Sequence, residues 1–155
     1  MLRATSVMPA FTFDTDDAEA VTLDREGRHR RRIVLVADRG TRFLLDLPEA
    51  AILKDGEGLV LEDGRIIIVR AAAEPLLAVT ASDGLHLMRL AWHIGNRHLP
   101  AMIEADRILI RRDHVIAEMI RGLGGRVAEI DAPFEPEGGA YARAGHAHSH
   151  DHHHG

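Results

Sequence analysis

Turn-forming clusters divide the first 72 residues of the chain into short runs of β-forming residues, and this spacing restricts the fold more than any other feature. Glycine or aspartate marks the turns at 38–40, 54–58 and 62–65. Strands are predicted at 11–13, 20–23, 32–37, 42–47, 59–61 and 66–69. Pro48 is expected to end the fourth strand, because proline has no amide proton to donate to a sheet. The pattern predicts a small β-sandwich or barrel.

The second half of the chain alternates strands with helices. Strands are predicted at 76–80, 101–103, 107–110 and 126–130, and helices at 83–96 and 113–123. Ser82 and Asp113 are the candidate N-caps, and Gly124 with Gly125 ends the second helix. The expected core face of the first helix consists of Leu85, Met88, Ala91, Trp92 and, just beyond the helix, Leu99. The order β-α-β-β-α-β is that of a ferredoxin-like domain, and the stretch from 132 to 145 is expected to be extended or disordered.

Composition excludes several classes of function. The chain has no cysteine, so a metal ion would be held by imidazole, carboxylate or backbone groups rather than by thiolates. The net charge of -5 argues against general nucleic-acid binding, and the basic run from Arg28 to Arg32 is interpreted as a solvated strand entrance. No run approaches the roughly 20 apolar residues of a membrane span. No apolar signal-peptide segment follows Arg3, so we expect a cytoplasmic protein.

Histidines are concentrated at the end of the chain. The last ten residues contain His146, His148, His150, His152, His153 and His154. Neutral imidazole suits nickel, zinc and copper ions, and it is available near neutral pH because its ordinary pKa is about 6.5. A purification tag is commonly an uninterrupted histidine run, whereas Ala147, Ser149 and Asp151 interrupt this one. We interpret the segment as a native metal-binding tail.

Four features of the second half carry a resemblance to a known family. Gly95-Asn96-Arg97-His98 resembles the signature of the UreE family, the nickel metallochaperones of urease maturation. Asp113-His114-Val115 is similar to a second motif of that family, and residues 133–141 resemble its linker between fold and tail. The histidine-rich end is the fourth feature. The first half matches the family only in length and strand character.

The resemblance implies an α+β protein in three parts. These are a small all-β domain at 1–73 able to bind a protein segment, a ferredoxin-like βαββαβ domain at 74–132 for metal binding and dimerisation, and a flexible linker with a His-rich tail at 133–155. It also implies a homodimer in which His98 of both subunits faces one Ni²⁺, with Zn²⁺ and Cu²⁺ also able to bind. The implied partners are a urease accessory GTPase of the UreG type and the urease apoprotein complex, with no nucleic acid and no membrane.

The other histidines allow more than one interpretation. His114 is either a metal ligand or a helix-entry residue, because family members with a peripheral site carry further histidines where two arginines stand here. His86 and His93 lie two helical turns apart, about 10 Å by helix rise, which is too far to share one ion. Both are expected mainly at the surface or in packing, and His93 is the better functional candidate. His29, among arginines, is expected to be solvated.

These features predict a nickel chaperone, not an enzyme, that delivers Ni²⁺ for assembly of the urease active site. The alternative is a general histidine-rich protein that stores or buffers nickel, zinc or copper. The tail supports that alternative equally well, but the Gly-Asn-Arg-His signature does not. A hydrolytic metalloenzyme using His98, His93 and Glu104 is a third hypothesis, and the sequence supplies neither a His-Glu-x-x-His helix nor a nucleophile elbow for it.

Overall fold

The computed structural model describes residues 1–138, which form ten strands and three helices. The strands are β1 (Leu2–Met8), β2 (Ala20–Leu23), β3 (His29–Val36), β4 (Arg42–Ile52), β5 (Gly58–Leu61), β6 (Ile66–Ala71), β7 (Glu74–Thr80), β8 (Ala101–Ile103), β9 (Ile108–Arg111) and β10 (Arg126–Ala132). The helices are α1 (Arg25–Arg28), α2 (Gly84–Asn96) and α3 (His114–Gly122). The described chain divides into two compact units, residues 1–74 with Asp131–Phe134, and Pro75–Ile130 with the described residues from Glu135. The six histidines of the tail lie outside the described residues.

The first unit is built on one six-stranded sheet with the order β2-β6-β5-β1-β4-β3. β1 runs parallel to β4 and β2 parallel to β6, and the other neighbouring strands are antiparallel. The backbone N–H of Asp38 donates to the carbonyl of Ala20, so the edges of the sheet meet beyond the end of β3. One curled sheet therefore carries the core, which favours the barrel over the sandwich. The core includes Ala4, Phe43, Leu45, Leu59, Leu61, Ile67 and Val69.

The start of the chain differs from its prediction, although the hairpin between β5 and β6 and the turns at 38–40 and 54–58 are confirmed. The predicted strand at 11–13 is wrong. Phe11 has a φ of 67° and a fully exposed side chain, so it lies in a turn and not in a ladder. The strand β1 was missed because of its seven residues only Ala4 is fully buried. β1 is a strand because it lies between β5 and β4 and pairs with both, and the pattern of its side chains gives no sign of this pairing.

Pro48 does not end its strand, contrary to the prediction. β4 continues through Pro48 to Ile52, making it eleven residues long. The pairing of β3 with β4 is interrupted between Arg30 and Arg32, and the opposing residues jump from Ala51 to Asp46. Proline therefore falls in the irregular part of the ladder, where no amide hydrogen bond is required of it.

Arg28 is buried, although the sequence suggested a solvated strand entrance. That prediction is correct only for the exposed residues 29–32. The guanidinium of Arg28 donates to the carbonyls of Leu23, Leu53 and Phe134 at 3.3, 3.1 and 2.9 Å, which provides the hydrogen bonds that a buried charge requires. Phe134, expected in an extended linker, is also fully buried. Arg28 and Phe134 thus attach the segment Asp131–Phe134 to the first unit.

The second unit contains β7, α2, β8, β9, α3 and β10 in that order along the chain. Its four strands form a sheet with the order β10-β7-β9-β8, in which β9 is antiparallel to both of its neighbours. The core includes Leu77, Val79, Leu90, Ile94, Ile108, Ile110, Ile116 and Ile120. Among residues 1–138, no helix has both the length and the apolar character needed to cross a membrane.

Aspartate carboxylates start both helices of this unit. Asp113 accepts hydrogen bonds from the N–H groups of Val115 and Ile116, as predicted, and Gly124 follows the end of α3 with a φ of 84°. At α2 the N-cap is Asp83, whose carboxylate accepts from the third following N–H, and not Ser82. Both caps satisfy N–H groups that the first turn of a helix leaves without intrahelical partners.

The helix α2 carries two apolar faces, and the predicted core face is largely wrong. Leu85, Met88 and Trp92 are 54%, 65% and 64% exposed, whereas Leu90 and Ile94 are buried. The two sets repeat at the same helical spacing on opposite sides of the helix, so the spacing could not tell which set faces the sheet. Leu87, Ala91 and Leu99 are partly buried against the same core. We call Leu85, Met88 and Trp92 the outer face of α2.

Candidate metal centre

His98 lies in the turn directly after α2, and its side chain is exposed. Its N–H donates to the carbonyl of Gly95 at 3.0 Å, and its backbone has a φ of 56°. This left-handed conformation after a helix is most often adopted by glycine, because a Cβ atom is disfavoured there. A histidine in this conformation is destabilised by roughly 1 kcal/mol of backbone strain. Its imidazole is in solvent and accessible to an ion.

His93 precedes this turn and is half-buried beside Trp92. The two rings meet edge to face, with centroids 5.1 Å apart and planes at 88°. The carbonyl of His93 accepts a hydrogen bond from the guanidinium of Arg97 at 3.3 Å, which ties the turn to the last turn of the helix. The ring of His93 therefore packs against the outer face of α2, as expected for a packing residue.

Both ring nitrogens of His86 have hydrogen-bond partners. Nε2 lies 2.8 Å from the carbonyl oxygen of Leu123, which can only accept, so this nitrogen carries the proton. Nδ1 then accepts the backbone N–H of Ser82 at 3.1 Å. The ring joins the start of α2 to the end of α3. His86 is thus a packing residue, because no lone pair remains for a metal ion.

His114 is the first residue of α3, and its side chain is exposed. It borders a cavity of about 700 Å³ with Arg112, Arg121 and Glu129. The guanidinium of Arg112 donates to the carbonyls of Leu76 and Ile130 at 3.1 and 3.0 Å, so it holds β7 to β10. The residue just before Asp113 is thus an arginine with a structural role.

The described histidines do not assemble a complete site within one chain. Among residues 1–138, no three histidine, aspartate or glutamate side chains lie close enough to hold one ion. The carboxylate of Glu104, one ligand of the hydrolase hypothesis, pairs with the guanidinium of Arg107. His146, His148, His150, His152, His153 and His154 fall beyond the residues that the structure describes. His98 is accessible, and a metal ion bound to it would need further ligands from outside the described residues.

Comparison with known proteins identifies the family of this two-unit chain. The model of the UreE urease accessory protein N-terminal domain matches residues 4–72, and that of the UreE C-terminal domain matches residues 74–155. The chain belongs to the UreE family of urease accessory proteins. The two matched ranges meet at the start of β7, where the first sheet ends and the second begins.

Individual UreE proteins are similar over nearly the whole chain. A urease accessory protein UreE from a Bradyrhizobium species is 56% identical over 153 residues, which cover 99% of this chain and 74% of the relative. One from a Chelativorans species is 57% identical over 162 residues, covering 99% of both proteins. One from Rhodobacter capsulatus is 51% identical over 152 residues, covering 98% of this chain and 94% of the relative.

The sequence interpretation missed the outer face of α2 as a surface feature. Met88 and Trp92 are large apolar side chains that remain mostly exposed. Isolated apolar residues on a surface need no explanation, but three of them along one helix face mark a candidate contact surface. The signal was present in the sequence, because a helix with apolar residues on two opposite sides has more apolar surface than one sheet can cover.

Proposed function

We propose that this UreE protein binds Ni²⁺ and delivers it for assembly of the urease active site. The observation that carries the proposal is the exposed imidazole of His98 in a backbone conformation that glycine adopts without cost. Strain retained at a non-glycine residue points to a use for its side chain. Imidazole is a suitable ligand for Ni²⁺. Ni²⁺ is here the cargo of the protein.

The second ligand of the ion is His98 of a second copy of the chain. A two-fold interface brings the same residue of both subunits together, so one histidine per chain can supply a pair of ligands. The outer face of α2 supports a homodimer, because its three apolar side chains are on the helix that leads into the turn of His98. Covering this face would bring the turn to the interface or to its margin.

The order of elements within the second unit supports the finer assignment of its fold. The element order β-α-β-β-α-β and the sheet order β10-β7-β9-β8 are those of a ferredoxin-like domain, which we assign to the second unit. We assign metal binding and dimerisation to this domain, near residues 74–132. The all-β domain at 1–73 is assigned to protein binding, and the region 133–155 to the linker and tail.

The tail imidazoles would complete the coordination of the ion and allow its release. Two His98 side chains leave coordination positions open, and tethering raises the local concentration of the histidines at 146–154. A partner can then replace these ligands one at a time. His114 is exposed and is retained as a second ligand or as a helix-entry residue. The proposed recipients are a GTPase of the UreG type and the urease apoprotein complex, and the protein itself is proposed to catalyse no reaction.

Binding experiments on the homodimer test the shared site. His98→Gly removes the imidazole and relieves the left-handed strain, so the fold should be as stable as wild type or more stable. Calorimetric titration with Ni²⁺ should lose its tightest class, one ion per dimer, while weaker tail binding persists. A variant lacking residues 146–155 should bind fewer ions but keep that one per dimer. Unchanged tight binding in His98→Gly would contradict the shared site.

An activation assay separates delivery from storage. At limiting Ni²⁺, His98→Gly should lower urease activation more than His29→Ala, a matched control at an exposed histidine in the first unit. Excess Ni²⁺ should partly restore activation, because a carrier supplies the ion and not the chemistry. If the wild-type protein binds Ni²⁺ tightly through His98 but activates urease no better than His98→Gly does, its function is storage and not delivery.

A further inference from the structure

The outer side of the first sheet carries a basic face that nickel binding does not use. Phe43, Leu45 and Leu47 of β4 are buried, so the alternating residues Arg42, Leu44 and Asp46 lie on the opposite side of the sheet. The register places Val36, Val34 and Arg32 of β3 opposite these three, and places Arg3 of β1 opposite Leu44. Residues opposite each other in neighbouring strands share a side of the sheet. We call Arg3, Arg32, Val34, Val36, Arg42 and Leu44 the basic sheet face.

Apolar side chains form the centre of this face. Val34 and Val36 are 43% and 51% exposed. Leu44, on the strand that lies between β1 and β3, is half-buried. Beyond the last pair of β1 and β4, a groove of about 350 Å³ opens between the two strands, and its lining includes Thr5, Val7, Leu47, Pro48 and the carboxylate-bearing Glu49. The face therefore offers apolar contact area, and a recess lies further along the same two strands.

Arginines surround this apolar centre with an excess of positive charge. Arg3, Arg31 and Arg32 lie 3.6, 3.9 and 3.4 Å from the one carboxylate of Asp46. All three guanidinium-bearing side chains are about half exposed, so they remain accessible to a second carboxylate. The other carboxylate near Arg3 is that of Glu62, which accepts the backbone N–H of Arg3. A cluster of positive charge thus stands on a protein whose net charge is -5.

The position of β3 favours an extended occupant. β3 ends the strand order of the sheet, and it pairs with β4 on one side. Just beyond its end, Asp38 already bonds to Ala20 of β2, so an added strand could pair only along the earlier residues of β3. An edge strand presents a row of backbone N–H and C=O groups to which a further strand can pair. In an added strand, alternate side chains would face the same side as Arg32, Val34 and Val36.

We propose that the basic sheet face docks an extended, acidic segment of a partner protein that also carries apolar side chains. Carboxylates of the segment pair with Arg3, Arg32 and Arg42, and its apolar side chains cover Val34 and Val36. Complementary charge supplies specificity and association rate, and apolar burial supplies affinity. The docking rests on the protein binding proposed above for the all-β domain and names the chemistry of its ligand. It requires no metal ion, so its failure and that of the nickel proposal are distinguishable.

Fluorescence anisotropy on the full chain with chelator present tests the proposal. The probe is a labelled octapeptide of alternating glutamate pairs and valine pairs. Control peptides replace glutamate with lysine or valine with serine, and both should bind more weakly than the probe. Added salt should weaken binding of the probe because the pairs are exposed. No measurable binding of the probe at concentrations up to about 1 mM, or equal binding of the lysine peptide, would overturn the proposal.

Three variants assign the binding to the face. The double variant Arg32→Glu/Arg42→Glu should weaken probe binding roughly tenfold. Asp46→Asn removes the competing carboxylate and should strengthen binding about threefold, a gain that misfolding cannot imitate. Arg70→Glu, a charge reversal at an exposed residue of β6, should leave binding unchanged. Equal loss in Arg70→Glu, or no gain in Asp46→Asn, would contradict the assignment to this face.

Nucleic acid is the competing class of ligand for a cluster of arginines. A single-stranded oligonucleotide of the same net charge as the probe lacks the valine side chains, so it should bind the face more weakly than the peptide. Val34→Ser should lower the affinity for the peptide and not that for the oligonucleotide. If the oligonucleotide binds more tightly than the peptide and Val34→Ser has no effect on either, the ligand of this face is nucleic acid and not an acidic protein segment.

Discussion

If the proposed homodimer forms through the outer face of α2, Trp92→Ala should dissociate it without unfolding the chain. Trp92 is 64% exposed in the single chain, and a tryptophan side chain buries up to about 250 Å². A dimer that covers the remaining surface would bury about 160 Å² more per copy, or about 4 kcal/mol at 25 cal/mol per Å².

Two corrections reduce this figure. Alanine keeps part of the contact, and buried area overstates the affinity of protein association. We therefore expect about 1.5 kcal/mol per copy and, because a two-fold interface contains the residue twice, about 3 kcal/mol per dimer. The dimer dissociation constant should rise by more than a hundredfold, since each 1.4 kcal/mol is a factor of ten.

Sedimentation equilibrium of the full chain across a range of concentrations measures this change. Phe11→Ala is the matched control, because it removes a fully exposed aromatic side chain from the first unit and should leave the constant unchanged. Leu90→Ala on the buried face should instead lower the free energy of unfolding by about 2–5 kcal/mol. A wild-type monomer at tens of micromolar, or a Trp92→Ala dimer as tight as wild type, would refute this use of the outer face.

Three further predictions concern stability and pH. Phe134→Ala should lower the free energy of unfolding of the first unit by about 3–5 kcal/mol in urea denaturation followed by circular dichroism, because its side chain is fully buried; a loss below about 1 kcal/mol would contradict this packing. Ni²⁺ binding measured by calorimetry should weaken as pH falls through about 6.5, where protons compete for imidazole, whereas carboxylate-dominated binding would persist to about pH 4–5. The pKa of Glu19 is lowered from its ordinary 4.5, mainly by a hydrogen bond from the hydroxyl of Thr41. The ionised carboxylate therefore stabilises the fold fully above pH 4.5, and this stabilisation is lost as the pH falls through the lowered pKa. Thr41→Val should return the pKa of Glu19 toward 4.5 in an NMR titration, and an unchanged value would contradict that cause.

The order of elements in the second unit could be predicted from the sequence because each boundary has its own local signal. Asp113 caps α3 through two backbone N–H groups, and Gly124 adopts the left-handed conformation after it. Such signals depend on residues that are neighbours in the sequence, so they do not depend on how the helix packs against the rest of the protein. At α2 two candidate caps adjoin, and Asp83 accepts the hydrogen bond rather than Ser82. The boundary moved by one residue for that reason.

The errors arose where distant contacts decide the outcome. Arg28 is the last residue of α1 and opens a basic run, and only the carbonyls of Leu53 and Phe134, far away in the chain, explain its burial. β1 is a strand because β4 and β5 pair with it. For the candidate site, the sequence predicted that His98 follows the end of the helix. It could not predict the left-handed backbone of His98 or which face of α2 is exposed, because both depend on how the helix packs.

The return of Asp131–Phe134 to the first unit makes that unit discontinuous in the chain. Separating the chain near residue 73 would remove Phe134 from its buried environment and leave the guanidinium of Arg28 without one of the three carbonyls that accept from it. Two independent fragments therefore cannot both be native, and a protease nick between β6 and β7 should leave the halves associated. A first unit expressed alone needs residues 131–134 joined to residue 74 through a short loop, which amounts to replacing the second unit by that loop.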